Sequence, residues 1–253
     1  NNYQYNFLMT FLNVFQDQCS EKSQIYLLES IFVIIKEQSI SIRSGWAMIF
    51  EILTLATAEQ FTQDFAFKIL ADLVNNQIVI ENPNYVIHLI SFIATYSRNA
   101  NSPTSIPFFD KVCEKLSLKA DAENCKSIKN SWIELFQSIS RSSRTNRIEI
   151  KRAAQNSYLA CLIILADKYN AITTNNSFDS EVFQPMMNSL WEFAITNTFE
   201  DMRFSELDKF LIKYDEQFIQ KYITLLGDNV KHIINILILS LFKDGSESGR
   251  INK

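Results

Sequence analysis

Arg141, Arg144 and Arg147 recur at every third position, and Lys151 and Arg152 follow close behind. Residues 119–152 hold eight basic residues against four acids, a local charge of +4 that leaves −8 on the remainder of a chain whose net charge is −4. The three arginines straddle an expected loop and helix start, where cations oppose the helix dipole by roughly 0.3 to 1 kcal/mol each. Something else should favour them. The row reads either as a docking patch for an acidic protein partner or an anionic lipid surface, or as solvated loop charge. Other reactive constellations are missing. His88 and His232 have no partner histidine four residues away and no HExxH, so zinc hydrolysis lacks its ligands, and each reads as structural on an apolar helical face. Cys113 and Cys125, separated by eleven residues without a nearby histidine, are not at a metal-ligand spacing. Asp64, Glu200-Asp201 and Asp215-Glu216 are ordinary solvated acids, and neither a glycine-rich phosphate loop nor GxSxG occurs. No catalytic residue, cofactor or metal is expected.

Composition sets the frame that must position these residues. Hydrophobic residues make up 47% of the 253, which is ample for burial, while only four glycines and four prolines interrupt them. That is too little turn chemistry for a many-stranded β protein and suits helices joined by polar loops. A net charge of −4 argues against bulk binding of nucleic acid, whose phosphates demand a basic footprint. Cys19, Cys113, Cys125 and Cys161 form no CxxC pair and read as reduced core thiols of a cytosolic protein. The first residues lack an initiator methionine and the order of a signal peptide, as a fragment would. No apolar run is long enough to span a bilayer; the nearest, Ile233 to Phe242, belongs to a helix expected from Val230 to Phe242 that reads as buried between neighbours or as an exposed apolar face.

Apolar spacing predicts an all-α chain. Tyr3, Phe7, Phe11 and Phe15 form an i, i+4 line with Leu8 and Leu12 beside it, over residues 3–18. Ser20 or Ser23 caps a second helix running to about Gln38. The third, over 42–58, carries Ile42, Trp46, Ile49, Phe50 and Leu53 on one face. Gly45 in its first turn implies close approach of a neighbouring backbone. Further helices are expected from Gln60 to the Asn75-Asn76 pair, from Pro83 to about Tyr96, from Ser105 to Leu118, and around Trp132. Arg141 to Asn146 reads as a loop, and Arg147 to Tyr169 as the longest helical pattern. More are expected around Val182 to Phe193 and near 204–213, 215–226 and 229–243. Antiparallel pairs recurring at about 40 residues suit a HEAT- or armadillo-like α-solenoid, with an irregular helical bundle as the competing architecture. The expected organisation is one scaffold over 1–243, in sub-units near 1–80, 81–145 and 146–243, followed by a disordered tail over 244–253.

The segment from Ile25 through Ile42-Arg43-Ser44-Gly45-Trp46 and Ile49-Phe50 to Ala66-Phe67 resembles a helical region in large Golgi guanine-nucleotide exchange factors for Arf GTPases, the brefeldin-inhibited class. There it is the first such region downstream of the catalytic domain. Pro103 to Val112 looks like that family's next helix, and Trp132 to Phe136 followed by Arg147-Ile148-Glu149-Ile150-Lys151 is similar to its later "W..LF" and "R.EVR" elements. The family's exchange domain, with its glutamate finger, has no counterpart here. The resemblance therefore implies a non-catalytic scaffold, peripheral at Golgi or endosomal membrane. Its implied partners are an Arf-type or Rab-type small GTPase, other parts of the same exchange factor, and an anionic membrane surface. A non-catalytic Golgi relative, or an unrelated HEAT-repeat adaptor or transport scaffold, is the alternative. The motif residues Ile42, Arg43, Ser44, Gly45, Trp46 and Phe50 read as structural, with Arg43 pairing with an acid such as Glu37 or Asp64 above Trp46.

Overall fold

The computed structural model describes residues 3–17, 20–75, 83–118 and 125–172. Eight α-helices account for most of them: α1 (Tyr3–Gln16), α2 (Glu21–Gln38), α3 (Gly45–Ala56), α4 (Gln60–Asn75), α5 (Pro83–Asn99), α6 (Phe108–Leu118), α7 (Cys125–Ser143) and α8 (Ile148–Ile172). A single 3-10 turn, Pro103–Ser105, precedes α6, and no strand occurs among the described residues. The elements expected around Val182 to Phe193 and near 204–213, 215–226 and 229–243, the tail over 244–253, and His232 lie outside the described residues.

Helices two apart in the chain make the layers. α1 packs on α3, α3 on α5 and α5 on α7, while α2 packs on α4, α4 on α6 and α6 on α8. Successive helices cross between the two rows, so each antiparallel pair buries its inner face on the next, as a solenoid-like stack requires. The core runs along the seam. In α3, Trp46, Met48, Ile49, Phe50, Ile52, Leu53 and Ala56 are all buried, covering most of its circumference because α1, α4 and α5 all contact it.

Local chemistry sets the helix ends. Ser20 caps α2, its hydroxyl accepting from Ser23 N at 3.3 Å. The orphan carbonyls closing α3 are met from α4, where Thr62 Oγ1 donates to Ala56 O at 2.6 Å and Gln63 Nε2 to Thr57 O at 2.8 Å. Beyond α5 the chain reverses at Asn101, whose φ of 52° is a left-handed conformation that asparagine tolerates better than most residues. Lys36 of α2 pairs with Asp72 of α4 at 2.7 Å, a half-exposed bridge of at most about 1 kcal/mol.

Several boundaries differ from the expectation. α3 begins at Gly45, so Ile42 and Arg43 sit in the preceding turn: Gln38 O accepts from both Ser41 N and Ile42 N, closing α2 there first. α5 continues to Asn99, because Ser97 lies on its buried side and Ser97 Oγ donates to Ser102 O at 2.9 Å. The helix expected from Ser105 starts at Phe108, since Pro103 and Pro107 break the approach into a 3-10 turn and a further turn. α7 runs through Arg141 to Ser143, which shortens the expected loop to Arg144–Arg147.

Candidate functional site

The last turns of α5 and α7 and the start of α8 enclose a cleft of about 270 Å³. Arg98 from α5, Arg141 from α7 and Arg144 from the following turn line it. Between them stand the hydroxyl groups of Ser91, Thr95, Ser138, Ser142 and Thr145. The packing of α5 on α7 explains the position. Ser131, Ser138 and Ser142 are buried along one side of α7 at spacings of seven and four, and small side chains there let the two helices approach closely while leaving room at the mouth. Trp132, Leu135, Phe136 and Ile139, on the rest of the same helix, go into the core.

Electrostatics divide the three cations. Arg141 is held: its Nη2 meets Glu134 Oε1 in an ion pair and Ser138 Oγ at 3.1 Å, and its Nε donates to Gln137 O at 3.2 Å. Arg98 Nη2 donates to Thr95 Oγ1 at 3.3 Å, and neither Arg98 nor Arg144 forms an ion pair among the described residues. Both lie exposed at the cleft wall, and no carboxylate among the described residues lines it. Arg98 and Arg141 occupy last turns, where the helix dipole favours a cation. The dipole penalty expected for the whole arginine row therefore falls on Arg147 alone, immediately before α8. Arg147 and Arg152 are exposed and Lys151 is half-buried, and none of the three lines the cleft. Arg98 was not visible as a member of this group, because its place depends on α5 extending to Asn99 and on α5 packing against α7.

The turn Ile42-Arg43-Ser44-Gly45-Trp46 is built for packing. The Gln4 side chain of α1 clamps it at two points, Nε2 donating to Ser41 O at 2.8 Å and Oε1 accepting from Arg43 N at 2.8 Å. A Cβ on Gly45 would lie 2.8 Å from Leu8 Cδ1 and 3.3 Å from Ile42 Cγ2. The close approach is thus to a side chain of α1 and not to a backbone. Trp46, 1% exposed, lies between Tyr85 at 5.8 Å and Phe50 at 6.0 Å, and Phe50 continues to Phe92 at 5.9 Å. Arg43 stands exposed in the turn and pairs with neither Glu37 nor Asp64. Burial raises the Tyr85 phenol pKa, and the positive charge of Arg43 offsets part of that rise. Ser44 is half-buried there. Gln4, like Arg98, belongs to its site through a long-range contact that periodicity does not reveal.

The remaining reactive groups stand apart. His88 is exposed and not enclosed in an apolar face; its ring stacks on Phe50 at 6.1 Å, and partial burial lowers its pKa. Cys113 and Cys161 are free, buried thiols joining α6 to α8, and burial pushes the Cys161 pKa well up, which makes it a poor nucleophile. Asp110 is close by, its pKa raised first by burial, against a hydrogen bond from Ser157 that lowers it and the Glu114 charge that raises it. No cluster of His, Cys, Asp or Glu among the described residues could hold a metal ion, and no helix among them is long and apolar enough to cross a membrane. Residues 1–72 match the Sec7-like HDS family, described as Mon2/Sec7/BIG1-like, HDS. That stretch spans α1 to α3 and most of α4, including the Gln4 clamp and the Trp46 turn. No curated protein and no solved structure matches the chain significantly.

Proposed function

We propose that this chain is a non-catalytic, helical regulatory scaffold of a large Arf-type exchange factor or a close Golgi relative. It works in vesicle traffic by contacting small GTPases, other parts of the same protein and the membrane surface. The carrying observation is the match of residues 1–72 to the Mon2/Sec7/BIG1-like HDS family, falling on the helices that the Trp46 turn ties together. In this reading α1–α4 form the rigid frame, and the basic surface around Arg141, Arg144, Arg147, Lys151 and Arg152 meets an acidic partner or anionic lipid. The protein acts at the cytoplasmic face of Golgi or endosomal membrane.

Flotation with anionic liposomes bearing a membrane-anchored Arf-type GTPase tests the reading. Recruitment that is stronger with the GTP-loaded form supports it. Equal recruitment with GTP and GDP, or none, would remove the GTPase from the proposal.

A further inference from the structure

We propose that the cleft between α5, α7 and α8 is a binding site for a phosphomonoester, with Arg98 and Arg144 as its principal ligands. The inference deepens the reading of the arginine row as a docking surface. It replaces a diffuse basic face with a defined pocket and a ligand class.

The donor count carries the argument. A carboxylate carries a single charge, and that of Glu134 is already engaged by Arg141 through Oε1, which also accepts from Ser138 Oγ. Two further guanidinium groups then face a cleft lined by no carboxylate among the described residues, alongside hydroxyls from three segments of chain. A phosphomonoester carries roughly −1.5 to −2 charge near neutral pH and three strong acceptor oxygens, which forked guanidinium donors match in number and geometry. The volume of about 270 Å³ exceeds what one phosphate group needs and leaves space for part of a polyol ring, whose hydroxyls Thr95, Ser142 and Thr145 can meet. Arg141, fixed by Glu134, Ser138 and the Gln137 carbonyl, is a pre-set wall of the pocket. Preorganised donors of this kind lose little freedom on binding.

The source of the phosphate is either a membrane phosphoinositide or a soluble inositol phosphate. Both are tested on the full chain, using soluble inositol 1,4,5-trisphosphate in calorimetry and phosphatidylcholine vesicles with or without a phosphoinositide. Vesicles carrying phosphatidylserine at equal charge serve as the comparison. Variants Arg98→Ala and Arg144→Ala test the pocket, and Arg152→Ala tests the surface outside it. Each pocket variant is expected to weaken binding roughly tenfold or more, and Arg152→Ala, which removes one charge of the flanking basic surface, by no more than about threefold. Binding of the soluble probe with that pattern supports the site and assigns a soluble source. Binding to phosphoinositide vesicles alone, with the same pattern, supports it with a lipid source. An equal loss in Arg98→Ala and Arg152→Ala overturns the pocket while leaving the docking surface intact, as does binding to phosphatidylserine vesicles as strong as to phosphoinositide. Absence of binding to any probe overturns both. Circular dichroism of each variant guards against loss of fold.

Discussion

Two clefts of nearly equal size open on the described helices, about 290 Å³ beside α1 and about 270 Å³ beside α7, and their walls differ in chemistry. The first is mostly apolar, with Tyr3, Phe7, Leu8, Ile34 and Ile42 beside Gln4, Gln38 and Ser41, whereas the second sets three arginines and six hydroxyl side chains beside Ala94 and Ile150. The first lies between α1, the end of α2 and the turn before α3, the second between α5, α7 and the start of α8. The surrounding cores differ in the same sense. α3 is buried through tryptophan, phenylalanine and branched aliphatic side chains, whereas α7 buries five serines beside its apolar residues. The same packing scheme thus gives a rigid apolar frame at one end and a polar pocket at the other. The distinction is testable, since substitutions at the first should cost stability and those at the second should cost binding.

The largest effect is expected at Trp46. Its ring is fully buried between Phe50 and Tyr85, so Trp46→Ala should destabilise the chain by about 3 to 5 kcal/mol. Urea unfolding measures the loss. A change below about 1 kcal/mol would mean that α1, α3 and α5 are held together elsewhere, and the frame would lose its centre. Gly45→Ala comes next. The new Cβ would press on Leu8 Cδ1 at 2.8 Å, with Ile42 Cγ2 closing the other side, and overpacking of this kind costs about 1 to 3 kcal/mol. Because the Leu8 contact is the end of a side chain, the penalty should shrink in a Leu8→Ala background. Additive costs in that double-mutant cycle would count against the contact.

This contrast also explains what the sequence could reveal. The frame was legible because Tyr3, Phe7, Phe11 and Phe15, or Trp46, Ile49, Phe50 and Leu53, announce a buried stripe through local spacing alone. The arginine row was equally plain as a cluster, yet its division was hidden. Arg141 and Arg144 turn into a cleft while Arg147 and Arg152 stay outside it, which depends on α7 ending at Ser143. Arg98 enters the cleft across a helix interface, and Gln4 reaches the Arg43 turn across another. Such groups become visible only when the helix register is known to a residue. Arg43 shows the same dependence: α3 starts three residues later than its apolar spacing suggests, which leaves Arg43 in the preceding turn, paired with neither Glu37 nor Asp64.

A smaller effect, of opposite sign, is expected at Asp110. Burial raises its carboxyl pKa, and Oδ1 is buried without a hydrogen-bond partner among the described residues. The folded chain therefore holds this proton more tightly than the unfolded chain. Its contribution to stability is full below the ordinary carboxylate range and is lost as pH rises through the raised folded value. Asp110→Asn should remove that loss, so the variant should gain on the native chain between mildly acidic and neutral pH. Urea midpoints of both proteins across that range give the comparison. Parallel curves would show that the carboxylate is adequately solvated where it stands.

The smallest effect on stability is expected where the effect on binding should be greatest. Arg144 is exposed, lies in a turn and forms no ion pair among the described residues. Arg144→Ala should then change the unfolding free energy by no more than about 0.5 kcal/mol, as a surface substitution does when it removes no packing or buried bond. Loss of one cation from a locally positive surface should even relieve some repulsion against Arg98 and Arg141, and lowering the salt concentration should enlarge that gain. A protein that had placed Arg144 for structural reasons would behave in the opposite way, losing stability most at low salt. Thermal unfolding of the variant and the unaltered chain at low and at physiological ionic strength separates the two. A cation whose removal costs no stability, and even stabilises the chain at low salt, is retained for what it binds.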